Sequence, residues 1–383
     1  MSELLVDKYL DELVKKNGSD MYLTIGHPPV VRMQDDQIVP IAKNGLRPID
    51  IDHFIQELMT KDNIAEFKEK MELNIAFTRG SKQRFRFNFF RQQQQNGIVI
   101  RRISCNIPTI EELRLPEIYA KAIMRKRGLI ILASPGGSGK STSMAAMIGH
   151  RNRNMSGHVV TIEDPIEFVH EHQKCIITQR EVGIDTVSYN NALKNALRQR
   201  ADVIAIGEIR DRHAMEHAIR FAETGHLCIA TLHSNNASQA IDRMINLFPD
   251  DTRTYVLSTL AQNLIAIFSQ RLVNGLKKER ELAADILLNE GLIKNHIIKG
   301  EINDIKDSQE RFYNLGMRTF DQSLYDLFTS HKISLETAID ESDNPSALKL
   351  RINQTGAATV EMMNSLNNRS MSGYSNSKSN DLD

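Results

Sequence analysis

The sequence lacks an excess of charge, a cysteine framework and a long hydrophobic run, and each absence excludes a class of protein. Lys and Arg together number 48, as do Asp and Glu, so a nucleic-acid partner is not expected. Cys105, Cys175 and Cys228 form no C-x-x-C pair, which argues against structural zinc and disulfides and favours a reducing, cytosolic setting. The sequence has no run of 18 apolar residues and opens on an amphipathic, charged stretch, so direct membrane insertion is not expected.

The length of 383 residues and the pattern along the chain predict two domains. Mixed helical and strand-like runs predict a small α+β, PAS-like domain at the N-terminus. Strands that alternate with helices then predict an α/β domain with a mostly parallel sheet, which becomes mainly helical after Pro249. The predicted boundaries are 1–106 for the first domain, 107–117 for a proline-bounded linker, 118–345 for the second domain and 346–383 for a tail that is disordered from about 364.

The most informative motif is a phosphate-binding loop between a predicted strand and a predicted helix. In this arrangement backbone N–H groups surround the β-phosphate, Lys140 reaches the β and γ oxygens, and the Ser141 hydroxyl ligates Mg²⁺. A glycine- and serine-rich surface turn is the alternative, but the flanking strand and helix favour the loop. The predicted nucleotide-binding residues are Ser134, Pro135, Gly136, Gly137, Ser138, Gly139, Lys140, Ser141 and Thr142.

One residue of the motif departs from the pattern G-x-x-x-x-G-K-[ST], because Ser134 stands where glycine is expected. That glycine mainly allows the chain to leave the strand in a tight turn, where a side chain is costly. We therefore expect Ser134 to alter nucleotide affinity or loop geometry without removing the site.

Two carboxylates are predicted at the same sheet edge as the loop. The run DVIAIGE ends in Glu208, which is placed to hold Mg²⁺ and its water, although buried strands often end in a charged residue. Glu163 follows the strand-like run from 159 to 162 and is placed to orient or deprotonate an attacking water. Asp164-Pro165 also reads as a turn, which is compatible with this role because the turn aims Glu163.

Two histidines, His226 and His233, are predicted to flank one strand. They could sense the γ-phosphate, or they could be ordinary polar residues at the strand ends. A metal ion shared by the pair is not expected, because opposite ends of a strand lie too far apart.

Four blocks in this order resemble the secretion and type IV pilus ATPase family: the phosphate loop, TIEDPIEFVH, VIAIGEIRD and TGHLCIATLH. The resemblance spans about residues 5 to 345. REVGID and the long histidine block are similar to the PilT/PilU retraction branch, and to its PilU members in particular. The resemblance implies a RecA-like P-loop ATPase core and a homohexamer that hydrolyses ATP at the cytoplasmic, inner-membrane base of the pilus machine.

The resemblance also assigns roles to individual residues. It implies that Glu163 is the catalytic glutamate, that Glu208 is the Walker B residue beside Mg²⁺, and that His226 and His233 couple the γ-phosphate to domain motion. Arg86 and Arg101 are the candidates for arginines that reach nucleotide across the ring, and strand-surface charge is the alternative reading.

The implied partners are a PilT-like motor and the inner-membrane pilus platform protein. The implied function is an ATPase that powers or assists pilus retraction and twitching motility. Two alternatives stay open: a PilT-type primary motor, and a nucleotide-binding ring that acts mainly as a partner of a second motor. Ser134, Arg200-Ala201 before the Walker B strand, and the stretch from Gly291 to Asn295 depart from the family pattern.

Overall fold

The computed structural model describes residues 5–33, 37–79, 83–103, 106–277 and 279–355. Cys105 and the predicted disordered tail lie outside these residues. The described chain divides into two units. The first comprises the residues up to Ile107 together with Pro165–Glu171 and Glu181–Val187, and the second comprises the remainder.

The first unit is a six-stranded antiparallel sheet with helices, as the predicted α+β class requires. Alternation in the fifth strand buries Phe85, Phe87 and Phe89 in the core and leaves the intervening residues on the other face. The elements are α1 Leu5–Lys15, β1 Asp20–Thr24, β2 Val30–Arg32, β3 Ile38–Pro40, α2 Pro48–Leu58, α3 Lys61–Lys70, β4 Glu72–Arg79, β5 Gln83–Gln92 and β6 Gln95–Ile103, and the strand order is 3-2-1-6-5-4.

The second unit contains a seven-stranded, mostly parallel sheet, which confirms the predicted α/β class. Its central strands are buried on both faces, so they read in the sequence as continuous apolar runs. The first elements are α4 Glu117–Ile123, β7 Gly128–Ala133, α5 Lys140–Asn154, β8 Gly157–Glu163, β9 Cys175–Glu181, α6 Tyr189–Ala196, β10 Val203–Ile206, α7 Arg212–Glu223, β11 Leu227–Leu232 and α8 Ala237–Asn246.

The prediction that the chain is mainly helical after Pro249 is wrong for two long strands. β12 spans Leu264–Asn274 and pairs in parallel with β7, and β13 spans Arg280–Leu288 and pairs antiparallel with β12. Both faces of β12 are covered, so buried Ser269 and Gln270 interrupt its apolar run without producing the alternation of a half-exposed strand. The remaining helices are α9 Arg253–Asn263, α10 Leu292–Lys299, α11 Ile305–Arg311, α12 Phe320–Thr329, α13 Leu335–Asp340 and α14 Pro345–Gln354.

The strand order of the second sheet is β13-β12-β7-β11-β10-β8-β9. Because β7, β8, β10 and β11 run parallel, they end at one edge of the sheet, which we call the carboxyl edge. The ladder places Ile206 opposite Ile162 and Ala230, so the residues that follow these strands lie side by side. This edge is where ligands bind in open parallel sheets.

Candidate active site

The phosphate loop connects β7 to α5 at the carboxyl edge. Gly137 and Gly139 have φ angles of 73° and 85°, in the left-handed region that favours glycine. Gly139 immediately precedes α5, so the first N–H groups of the helix face the loop. The Ser138 hydroxyl donates to the Pro135 carbonyl at 2.8 Å and stabilises the turn. The backbone of this segment is that of an anion-binding loop.

Ser134 is fully buried, and its hydroxyl occupies a defined place in the sheet. It accepts a hydrogen bond from the Gln270 backbone N–H at 2.7 Å and donates to the Ala133 carbonyl. The Gln270 side-chain Nε2 donates to the Ser138 carbonyl at 2.8 Å. Ser134 therefore extends the pairing of β7 with β12 into the loop by means of its side chain.

Replacing Ser134 with alanine should lower stability by about 1–3 kcal/mol, since the buried Gln270 N–H loses its acceptor. Ser134→Gly should lower stability at least as much, because glycine also raises the conformational entropy of the unfolded chain. Denaturant unfolding of both variants measures the change, and titration with a fluorescent ADP analogue reports nucleotide affinity. If Ser134→Ala unfolds at the wild-type denaturant midpoint, the hydroxyl does not stabilise the loop.

Lys140, the first residue of α5, lies almost fully buried against the loop. Its Nζ donates to the Ser134 carbonyl at 2.6 Å and to the Pro135 carbonyl at 2.7 Å. These contacts hold the Lys140 ammonium group at the N-terminus of α5. Both its charge and the aligned peptide dipoles of the helix favour the binding of an anion there. The loop thus presents an ammonium group and backbone donors to the same point.

Glu208 follows β10 and contacts two cationic or titratable partners. Its Oε2 accepts from Arg210 Nε at 2.6 Å, and its Oε1 lies 3.0 Å from His233 Nε2. Arg210 also donates to Asp164 at 3.1 Å, and its hydrogen bond to Glu208 raises the pKa of its guanidinium. Arg210 therefore links Glu208, which follows β10, to Asp164, which follows β8.

His233 follows β11, which lies between β7 and β10 in the sheet, and its Nε2 contacts Glu208. Burial and then the nearby Lys140 ammonium lower the pKa of its imidazole, and Glu208 partly opposes them. A neutral imidazole between a lysine and a carboxylate responds to added negative charge, which is the property that a phosphate sensor needs.

Glu163 is the last residue of β8, and its carboxylate orientation is set by two donors. The Thr161 hydroxyl donates to Oε1 at 2.6 Å, and Gln179 Nε2 donates to the same oxygen at 3.2 Å. Gly207 lies directly beside Glu163, and there is no room for a side chain at this position. An added Cβ would lie 2.8 Å from the Tyr189 hydroxyl and 3.1 Å from the Glu163 Cα. Burial raises the pKa of Tyr189, so its hydroxyl stays protonated as it packs here.

The predicted metal ligands are Ser141 and Glu208. A hydroxyl and a carboxylate are oxygen donors of the kind that Mg²⁺ accepts, with water and phosphate oxygens completing its shell. Ser141 is the second residue of α5, and Glu208 follows the strand two places away from β7 in the sheet. The donor chemistry and the shared edge fit this ion.

His226 does not join these residues within the unit. It precedes β11, so the six residues of that strand place it about 20 Å from the carboxyl edge. Its Nδ1 lies 3.0 Å from the Thr224 hydroxyl and 3.3 Å from the Phe221 carbonyl, at the end of α7. The predicted role of His226 in coupling the γ-phosphate to domain motion stays a prediction.

Arg86 and Arg101 lie on adjacent strands of the first unit, directly opposite each other. Arg86 Nη1 is 3.8 Å from a carboxylate oxygen of Glu181, which is buried in the same unit. Arg101 Nε donates to Asp20 at 2.8 Å, and this hydrogen bond raises the pKa of the guanidinium. Their role as arginines that reach nucleotide across a ring stays a prediction.

Sequence reasoning missed several side chains that shape the site, and they fall into two groups. Arg210 carried a signal, because it stands only two residues after Glu208 and offers the opposite charge. Gln179, Tyr189 and Gln270 carried none, since each reaches the site from an element that only the tertiary fold brings close.

A groove of about 620 Å³ opens beside the loop. It is bordered by Pro135 and Gly136 of the loop, by the chain from His233 to Asn235, and by the exposed face of α8. Its walls therefore join the phosphate loop to the residues that follow β11.

The chain is similar to known proteins along nearly its whole length. The family model described as "Type II/IV secretion system protein" matches residues 1–318. The type IV pilus ATPase PilU of Pseudomonas aeruginosa is 46% identical over 363 residues, which is 94% of each protein. The type IV pilus retraction ATPase PilT of the same organism is 35% identical over 334 residues, covering 86% of this chain and 96% of PilT.

A solved structure is similar as well. The crystal structure of the pilus retraction motor PilT with bound ADP aligns with a TM-score of 0.83 at 37% identity, covering 91% of this chain and 99% of that one. In the described ranges, none of the helices combines the length and the apolar character needed to span a bilayer.

Proposed function

Because the chain belongs to the type II/IV secretion system protein family, and within it to the PilT/PilU retraction ATPases, we propose that it hydrolyses ATP at the carboxyl edge and so powers or assists type IV pilus retraction. The observation that carries this proposal is the contact of Glu208 with His233, whose pKa the Lys140 charge helps to lower. One edge of the sheet thus holds an ammonium group, a carboxylate and an imidazole, the groups that the proposed reaction needs.

In the proposed reaction, water attacks the γ-phosphorus and the bond to the β-phosphate bridging oxygen breaks, releasing ADP and phosphate. Glu163 orients this water and accepts its proton, and the hydrogen bonds from Thr161 and Gln179 keep its carboxylate in one position. Lys140 and the loop N–H groups stabilise the charge that builds on the phosphate oxygens. His233 reports the loss of the γ-phosphate to the loop that follows it.

Mg²⁺ would be held by Ser141 and, through its water, by Glu208. When bound, the ion neutralises charge on the β and γ oxygens. Arg210 supports this arrangement because its ion pairs with Glu208 and Asp164 hold the two carboxylates in place and offset their mutual repulsion.

We further propose that the protein works as a homohexamer at the inner-membrane base of the pilus machine. Its partners would be a PilT-like motor and the membrane platform protein. The support is the family membership and the similarity to the pilus motor PilT. Arg86 and Arg101 would supply charge to nucleotide held by a neighbouring subunit, after leaving Glu181 and Asp20.

Deleting the gene in its host and scoring twitching and surface pili tests the cellular role. We expect reduced twitching that wild-type protein restores and Lys140→Ala does not. Full complementation by Lys140→Ala, in a strain that retains its PilT-like motor, would show instead a ring that acts as a structural partner. Normal twitching and piliation after deletion would contradict any role in retraction.

A further inference from the structure

Two consecutive residues of β12 reach two different loops of the carboxyl edge. Gln270 bonds to the phosphate loop through its backbone and side chain, as described above. Because side chains alternate along a strand, Arg271 points to the opposite face. There it meets the chain that follows His233 and the segment between α13 and α14.

The Arg271 guanidinium contacts an aromatic ring, a backbone carbonyl and a carboxylate. It lies over the Phe320 ring at 4.0 Å from the centroid, donates from Nη1 to the Glu341 carbonyl at 2.6 Å, and pairs through Nη2 with Asp343 at 2.6 Å. Each partner of the ion pair is only 19% exposed. A planar guanidinium can lie flat on an aromatic ring while its edge donates in two directions, whereas an ammonium group has no plane to stack.

The same ion pair contacts the loop beyond His233 at two points. Arg271 Nη2 donates to the Asn235 carbonyl at 3.4 Å, and Asp343 accepts from Asn236 Nδ2 at 3.4 Å. Asn236 also caps α8, since its side chain accepts from the Gln239 N–H at 3.0 Å. Both ends of the short segment that carries His233 are therefore fixed, one by β11 and one by this cluster.

We propose that Arg271 and Asp343 are positioning residues that hold the 233–236 loop and thereby keep His233 in contact with Glu208. The inference rests on the proposed function of the site, because His233 matters to turnover only if ATP is hydrolysed there. Arg271 acts through His233 and touches no reacting atom. Phosphate release sensed by His233 would in turn reach the segment between α13 and α14 through this pair.

The test compares Arg271→Lys and Asp343→Asn with a matched control, Arg318→Lys. Arg318 also stacks on an aromatic ring, Tyr313 at 5.3 Å, and pairs with Asp326 at 3.5 Å, and neither of these side-chain partners belongs to the 233–236 loop. We expect kcat to fall about tenfold in the two test variants, with KM for ATP and the Kd of a fluorescent ADP analogue within twofold of wild type. The control should keep wild-type kcat.

A double-mutant cycle with His233→Gln decides whether Arg271 acts through His233. If it does, adding Arg271→Lys to His233→Gln lowers kcat little further, since the positioned side chain is already gone. Additive losses in kcat, or a tenfold rise of Kd in Arg271→Lys alone, would overturn the inference.

A nucleotide-free measurement separates this inference from the proposed function. In protein with labelled histidine rings, the His233 NMR resonance, assigned by its loss in His233→Gln, should shift in Arg271→Lys and stay in place in Arg318→Lys. An unchanged resonance in Arg271→Lys overturns the positioning role. Absence of ATP turnover in the wild-type enzyme would overturn the proposed function, whereas the resonance would still decide the position of His233.

Discussion

Replacing Lys140 with alanine is expected to reduce ATP hydrolysis by about 10²–10³-fold, the effect of removing one electrostatic stabiliser from a preorganised site. Lys140 is buried at the N-terminus of α5, with its ammonium group held by the carbonyls of Ser134 and Pro135. The phosphate oxygens of ATP are stronger acceptors than these carbonyls, so the ammonium group is placed to bind them and to follow the charge that develops on hydrolysis.

Steady-state phosphate release measures this loss, and Lys121→Ala is the matched control. Lys121 lies in the same unit on α4, is mostly exposed and pairs with Glu117 four residues earlier. The Lys121→Ala variant should therefore keep wild-type turnover. Thermal unfolding shows whether the Lys140 variant is folded. A folded Lys140→Ala enzyme with wild-type kcat and KM would show that the phosphate loop plays no part in hydrolysis.

Replacing Glu163 with glutamine is expected to lower kcat by about 10²–10³-fold, within the range for the loss of a general base. The change keeps the shape of the side chain, and an amide oxygen can still accept from Thr161 and Gln179, so the fold should be retained. An amide cannot take the proton of the attacking water. Nucleotide binding, which depends on the loop and Lys140, should stay within threefold of wild type.

Single-turnover hydrolysis and binding of a fluorescent ATP analogue separate these two effects. Glu216→Gln is the control, because Glu216 is a partly exposed carboxylate of α7 that pairs with Arg212. If Glu163→Gln hydrolyses ATP at the wild-type rate, another group activates the water. If instead it loses nucleotide binding, Glu163 supports the loop and is not the base.

Much of the site was predictable because parallel strands convert sequence order into spatial proximity. The loop after β7, Glu163 at the end of β8 and Glu208 after β10 each follow an apolar run, so their common edge could be inferred before any coordinates. The same reasoning treated the two histidines alike, although one stands before β11 and the other after it. In the structure His233 contacts Glu208, while His226 lies at the opposite edge.

The sequence by itself determined the class of fold, the phosphate loop and the two carboxylates, since these depend on residues close together in the chain and on the direction of a strand. Tertiary structure decided what holds them. β12 was hidden in the sequence because buried Ser269 and Gln270 interrupt its apolar run, and it supplies Gln270 to the phosphate loop and Arg271 to the loop after His233. It also gave Ser134 its partner, a backbone N–H 136 residues away. Such contacts depend on the order of strands in the sheet, and local patterns carry no record of that order.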